Sequence, residues 1–466
     1  MVDITRRTVL GGLLGVGALG ATAASWPRLT ARDIPGRGQD VLNVAILGTS
    51  QDAAARADLL TAFRAKHPDI PVRLQAIQGA DWSNFFAKIL TMVAAGTPPD
   101  VCIVATEGAQ LFADRLAEPL DAYVQRDRAE LQDYFDDVHP SLIEAFMYRG
   151  HLYQLPIDFN AANMYFNTDA MTSAGLDYPQ EHWTHEDFLA YARGMRTANR
   201  APFVPYYWTN RLFGGVVPWL YVNDTSFLKE AKAPGGEWLW QQFYSGDPAA
   251  AGRSGGYLWE EPNAQDPRVE ESFDFLREVV REGLGTSPAQ GGGTELVAQF
   301  AGGSIGMTPA GGYWVNGLNE AGMTQADYDV QYFPRWRSQR HQFGAAGYAL
   351  MKTSQRKEQA WEWIKFCISR EGMKLALPRA DTTPTRRSMC NDELYGTIGP
   401  RHWRVFYDTL DRMEAAPIPA PPQQAAVETA LIKNVTGAVT AGSQAGLRGH
   451  LANLQRDLEL ALRKST

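Results

Sequence analysis

Cysteine is nearly absent from this chain: three residues in 466, at Cys102, Cys367 and Cys390, with no C-x-x-C spacing. That rules out a disulfide framework and a cysteine-built metal site, although Cys367 and Cys390 could pair in an oxidising compartment. Histidine is also sparse. The eight histidines include no H-x-x-x-H or H-E-x-x-H pair, which excludes the usual helical zinc-protease ligands. His182 and His185 straddle a helix start and read as solvated. No G-x-x-x-x-G-K-S/T occurs, so there is no loop of the type that cradles nucleotide phosphates. Positive charge is in deficit, with 44 Lys and Arg against 52 Asp and Glu, a net charge of -8 and a pI near 5.6. Nucleic acid and anionic membrane surfaces are therefore poor partners. No repeat of solenoid length is present.

What remains is a globular composition, 45% hydrophobic and 21% charged, in a chain too long for a single core and suited to two or three domains. Aromatics are plentiful, with 13 Trp, 18 Tyr and 20 Phe. Most must be core, and the surplus suits a ligand cleft. The first forty residues stand apart. Thr5-Arg6-Arg7-Thr8 precedes an apolar, glycine-rich run from Leu10 to Ala21, with small residues at Ala21, Ala23 and Ala24. This reads as an export signal, and the Arg6-Arg7 pair before a modest apolar run resembles a twin-arginine signal. No cysteine follows it to carry a lipid anchor, so the expected product is soluble, periplasmic or secreted. Gly15 to Gly20 spells G-x-G-x-x-G without a strand before it or a suitably placed acid after it, and is a coincidence of a glycine-rich signal.

Val41–Leu47 reads as a doubly buried strand, followed by a turn and one helix through His67. Ile70, Val72, Leu74 and Ala76 alternate with polar neighbours in a second strand. Asp81 caps a helix with Phe85, Phe86, Ile89, Leu90 and Val93 on its apolar face, closed by Gly96, and Val101–Ala105 is a third strand. This order predicts a parallel α/β layer whose ligand would lie beyond the carboxyl ends of the strands, near Gly48–Gln51, Gly79–Trp82 and Thr106–Glu107. Further on, Tyr153–Phe166 reads as a strand that passes Asp158 and Asn160 and continues into a second compact region. Thr184 and Asp187 form a capping signal. Asp266-Pro267 opens a helix with Val269, Phe273, Leu276 and Val280 inward. Gly302-Gly-Ser304-Ile-Gly306 matches G-x-S-x-G, but the order there is helix, turn, strand, the reverse of a nucleophile elbow.

Several stretches resemble the family 1 extracellular solute-binding proteins, the substrate-capturing subunits of ABC importers. They are Lys88-Ile-Leu-Thr-Met-Val-Ala-Ala-Gly-Thr-Pro-Pro-Asp-Val, then Glu118-Pro-Leu-Asp, then Tyr153 to Met171. Two more are Ala298 to Trp314 and the aromatic helix from Gln359 to Ser369, with Thr383-Pro-Thr-Arg386 after it. The resemblance implies an α/β, two-lobed periplasmic-binding-protein fold, each lobe a mainly parallel sheet flanked by helices, joined by a multi-strand hinge. It implies residues 1–40 as signal and linker, 41–158 plus 344–398 as lobe 1, and 159–343 plus 399–466 as lobe 2.

By the same resemblance the ligand-binding residues are Ser50, Trp82, Glu107, Asp158, Asn160, Trp208, Gly312, Trp314, Tyr348 and Arg386. Trp208 offers an exposed ring, the Gly311-Gly312 pair a close backbone approach, and Arg386 a donor to hydroxyls or to an anion; Arg379 and Arg387 read as solvated. The implied function is capture of a small carbohydrate by lobe closure and delivery to a membrane permease, by a monomer with no cofactor, no catalytic residue and no metal. Two alternatives stay open: a binder of glycerol phosphate or another polyol anion, and a secreted glycoside hydrolase using Glu107 and Asp158. Pro421-Pro-Gln-Gln-Ala stands where maltose-type members carry an aromatic, which argues against a long maltodextrin.

Overall fold

The structure, a computed structural model, describes residues 41–200, 202–288, 294–377 and 382–463. Residues 1–40, expected to hold the export signal, and Arg379 lie outside the described residues. The strands, in chain order, are β1 (Leu42–Leu47), β2 (Val72–Ile77), β3 (Val101–Ala105), β4 (Met147–Tyr148), β5 (His151–Leu152), β6 (Gln154–Ala161), β7 (Asn163–Asn167) and β8 (Val204–Tyr206). They continue as β9 (Leu228–Lys232), β10 (Tyr257–Pro262), β11 (Ile305–Ala310), β12 (Tyr328–Gln331), β13 (His341–Leu350), β14 (Thr383–Pro384) and β15 (Ala415–Pro417).

Two sheets organise them. The larger runs β14-β6-β13-β3-β1-β2, with β15 added to β13; the smaller runs β12-β7-β11-β8. β1 pairs parallel with both β2 and β3, as the strand–helix–strand order predicts. Both sheets are mixed, because the strands arriving from across the molecule run the other way. β13 is antiparallel to β3 and β6, and β7 is antiparallel to β11 and β12. β1 is almost wholly buried, whereas every residue of β2 is half-buried, as its edge position requires.

The passage between the sheets is abrupt. β6 belongs to the large sheet and β7 to the small one, and Ala162 alone separates them. Asn167 then accepts the amide of Ala170 and caps the helix Thr168–Ser173. One hydrophobic core packs under the large sheet around Val44, Phe63, Trp361 and Trp363 and continues to Tyr165 and Trp314 at the crossing. A second gathers Phe166, Phe188, Trp219, Phe273 and Val435, so the helices Gln424–Val439 and Gln444–Arg463 pack on the side of the small sheet.

Three local expectations change. The helix expected through His67 is two, Ser50–Ala54 and Ala57–Lys66, because Arg56 leaves helical geometry between them. Leu90 is 38% exposed, since Phe85, Phe86 and Ile89 already fill the buried stripe of Trp82–Ala94. In the helix Pro267–Arg281 the inward residue of the last turn is Val279, with Val280 half-buried. The three cysteines are buried and unpaired. His182 is exposed, while His185 is largely covered and stacked on Trp336 at 4.4 Å.

Candidate functional site

A cavity of about 540 Å³ opens where the two sheets meet, within the size range of small-molecule sites. The large sheet supplies Asp158 on β6, Ala346 and Tyr348 on β13, and Ile103 and Ala105 on β3. Thr308 and Pro309 of β11, with Trp208, Arg211 and Phe213, close the other side.

Glu107 reaches it from the first turn of the helix Thr106–Arg115, directly after β3. The Thr106 hydroxyl donates to Glu107 Oε2 at 3.3 Å and accepts the amide of Ala345 at 3.3 Å, so β13 fixes the start of this helix. Burial pushes the Glu107 carboxyl up to about 7; Glu428 adds to the rise, and backbone and Thr106 hydrogen bonds oppose it. Asp158 faces Ala346 across one strand pair, and Ala346 faces Ala105 across the next. Burial likewise pushes Asp158 up to about 7, against the Ala346 amide and Arg56, with Glu107 adding to the rise. Neither acid forms an ion pair among the described residues.

The aromatic residues divide by exposure. Trp82 is half-buried, stacked on Phe86 at 5.8 Å, and lines the cavity. Trp208 also lines it but is only 1% exposed, and its Nε1 donates to Thr286 O at 2.9 Å, so the free ring expected there is instead part of the wall. Trp314 is buried edge-on against Tyr165 and Phe300, and Tyr348 is buried as well; both border the cavity. The accessible ring is that of Tyr313, 40% exposed, with Phe213 edge-on beside it.

Asn160 borders the cavity with both ends of its amide engaged. Oδ1 accepts the Tyr313 amide at 3.2 Å and Nδ2 donates to Thr382 Oγ1 at 2.8 Å. The Gly311-Gly312 pair serves this same approach of one sheet to the other. A Cβ on Gly311 would sit 2.4 Å from Asn160 Cβ, and one on Gly312 would sit 2.3 Å from Thr383 Oγ1. Gly312 therefore faces protein and not the cavity.

Two further assignments move away from the cavity. Ser50 is exposed at the start of its helix and lines none of the wall. Arg386 is 3% exposed and spent on protein partners: Nε donates to Ile368 O at 2.9 Å, and Nη1 to Asp133 Oδ2 at 2.9 Å and Asp137 Oδ2 at 3.4 Å. Burial of a guanidinium demands such pairing, and it leaves none of these donors for a ligand. Arg387 is half-exposed but bound to Asp411.

The basic residues in the wall are ones the sequence reading misses. Arg56 stands at the break between two helices that the apolar pattern reads as one, so nothing singles it out. Arg211 follows Trp208 in a polar loop and pairs with Asp81 at 3.1 Å. Tyr313 had a usable signal, an aromatic directly after a double glycine, but the larger Trp314 draws the attention. Among the described residues no group of three or more His, Cys, Asp or Glu is placed to hold a metal, and no helix is long and apolar enough to cross a membrane.

Two α/β layers meeting around a cleft, with β6 passing to β7 through Ala162, define a two-lobed architecture. Residues 47–374 match the family of bacterial extracellular solute-binding proteins, and the chain belongs to that family. A binding protein of Brucella abortus (strain 2308) is 31% identical over 127 residues, 26% of this chain; that match spans 28% of the relative's length. An ABC substrate-binding protein of Listeria monocytogenes, solved in complex with cycloalternan, superposes with a TM-score of 0.69 at 18% identity, covering 90% of this chain and 98% of that one. UgpB of Mycobacterium tuberculosis, solved in complex with glycerophosphocholine, gives 0.69 at 16% identity, covering 91% and 99%.

Proposed function

We propose that this protein captures a small carbohydrate in the cleft, by closure of two lobes, and presents it to the membrane permease of an ABC importer. The lobes are residues 41–158 plus 344–398 and residues 159–343 plus 399–466. The observation that carries the reading is the cavity itself: walls from both sheets, carboxylates beside aromatic rings, and a volume suited to a small polar molecule. A ligand touching both walls gains its full contacts only when they approach, so it shifts an open–closed equilibrium by its differential affinity. Tyr313 and Trp82 offer apolar surface to a sugar ring, and Glu107 and Asp158 accept from its hydroxyls.

The two alternatives fare worse on the same residues. An anionic polyol needs free cations; Arg386 and Arg211 are both engaged by carboxylates, which leaves Arg56, among the described residues, as the one guanidinium for it in a wall that also carries Glu107 and Asp158. A glycosidase needs one acid held protonated and one ionised, whereas burial moves Glu107 and Asp158 in the same direction. We read the chain accordingly as a binder and not an enzyme, exported through Arg6-Arg7 and soluble outside the cytoplasm.

Thermal-shift screening of the mature chain against mono- and disaccharides, polyols and glycerol phosphates tests the assignment. A sugar at 100 times its dissociation constant should stabilise the protein by about 2.7 kcal/mol. Stabilisation by glycerol phosphates alone would reject the carbohydrate reading.

A further inference from the structure

This inference rests on reading the cleft as a small-molecule site and concerns the charge of what enters it. Among the described residues, the ionisable carboxylates and guanidiniums bordering the cavity are Glu107, Asp158, Arg56 and Arg211. Arg211 is committed to Asp81 at 3.1 Å, and Arg56 donates from Nη1 to the Asp52 carbonyl at 2.8 Å. Among the described residues Glu107 and Asp158 form no ion pair. A third acid, Glu428, lies close enough to Glu107 to act on it, and its own contacts are neutral: Ser83 Oγ at 2.5 Å and Gln424 Nε2 at 3.0 Å. Among the described residues Arg56 is in no ion pair and acts on Asp158, so the three acids Glu107, Asp158 and Glu428 outnumber the one guanidinium left to balance them.

The strand register sets the spacing. Ala346 stands opposite both Ala105 and Asp158, so the end of β3 that leads into Glu107 lies two strand separations from Asp158, about 10 Å between backbones. A compact group with several donors, placed between two carboxylates that border one cavity, could bond to both. A hydroxyl there has one proton to donate, so it would satisfy one acid only and bring no positive charge. An ammonium group supplies three donors and the missing charge together, and bonds of that kind are roughly twice as strong as neutral ones. The rings of Trp82 and Tyr313 add faces that favour a nearby cation.

We propose that the cleft takes a carbohydrate or polyol carrying a protonated amine, with the ammonium seated between Glu107 and Asp158. Burial raises both carboxyls even with Arg56 acting on Asp158, and such a ligand would offset that cost.

The test is calorimetric titration of the mature protein near pH 6.5 with two matched series. One comprises glucosamine, glucose, N-acetylglucosamine and glucose 6-phosphate; the other comprises the β-1,4-linked disaccharides of glucosamine, glucose and N-acetylglucosamine. In at least one series the amine should bind about ten-fold or more tightly than its neutral counterparts. Binding should release protons, so the measured heat should depend on the buffer's ionisation enthalpy. In Glu107→Gln combined with Asp158→Asn the amine preference should vanish, the amine losing about ten-fold more affinity than its neutral counterparts lose. Equal or tighter binding of a neutral sugar by the wild type would overturn the amine proposal and leave the carbohydrate reading standing. Preference for glucose 6-phosphate would overturn the amine proposal, and binding of none of these probes would reject both readings.

Discussion

Arg211 Nη1 lies 3.1 Å from Asp81 Oδ2, so the loop after Trp208 is tied to the N-cap of the helix Trp82–Ala94 on the other side of the cleft. Asp81 serves twice, because its Oδ1 also accepts the Asn84 amide at 2.8 Å. Two residues on, in the first turn, Ser83 is held by Gln424 and Glu428 of the helix Gln424–Val439. The start of one helix thereby carries polar contacts to two elements distant in sequence, the loop of Arg211 and the helix Gln424–Val439.

Arg211→Met removes the ion pair and spares the cap. Both partners are about one-third exposed, so unfolding free energy should fall by about 1 kcal/mol at most. The ligand-free protein should nevertheless populate a more open state, seen as a larger radius of gyration by X-ray scattering. A large loss of stability with no change in radius would assign the pair to the fold and not to closure.

Arg386 should behave as a structural residue. Arg386→Ala leaves Asp133 and Asp137 their contacts to Arg370 but opens a buried gap and frees the Ile368 carbonyl, and urea unfolding should show a loss of about 1–3 kcal/mol. In material that remains folded, ligand affinity should change little. A stable variant with abolished binding would return Arg386 to the site.

The pH dependence has a defined sign. Folding raises Glu107 and Asp158 to about 7, so the folded chain holds protons that the unfolded chain releases. Their contribution is complete below the unfolded carboxylate range, near pH 4, and is lost as pH climbs through about 7. His139 and His341, held down by burial to about 3 and about 4, work in the opposite sense: their contribution is lost as pH falls below the ordinary histidine range. Glu107→Gln and Asp158→Asn should therefore gain stability relative to wild type progressively from pH 4.5 to pH 8. A difference independent of pH would show that neither carboxyl is shifted.

Gly312→Ala should cost about 1–3 kcal/mol by forcing a methyl onto Thr383. Thr383→Ala in the same chain should restore part of the loss. No rescue would mean that the glycine is needed for something other than this contact.

How far the sequence could be read follows from which interactions are local. β1, β2 and β3, the cap at Asp81, the capping box at Thr184 and Asp187, and the β6–β7 passage all follow from short-range patterns of polarity and turn residues, and the structure contains each of them. Trp82, Glu107 and Asp158 border the cavity because they sit at or near the ends of such elements. Arg386 could not be placed this way. Its partners Asp133 and Asp137 lie roughly 250 residues away in the chain, and only the packing of Arg128–Phe135 against the end of Lys357–Ile368 brings them together. Trp208 fails for a related reason: a polar neighbourhood in sequence gave no sign of the Thr286 carbonyl that holds its ring in the wall.

The central claim is closure on a ligand, and the distance between the two lobes measures it directly. Leu90 and Leu460 are 38% and 54% exposed, on the helices Trp82–Ala94 and Gln444–Arg463. The native cysteines are buried, so spin labels on Leu90→Cys and Leu460→Cys should attach selectively. With the sugar that most raises the melting temperature present at saturation, the distance distribution should narrow and shift to shorter values. A distribution unchanged by a sugar that demonstrably binds would contradict the account.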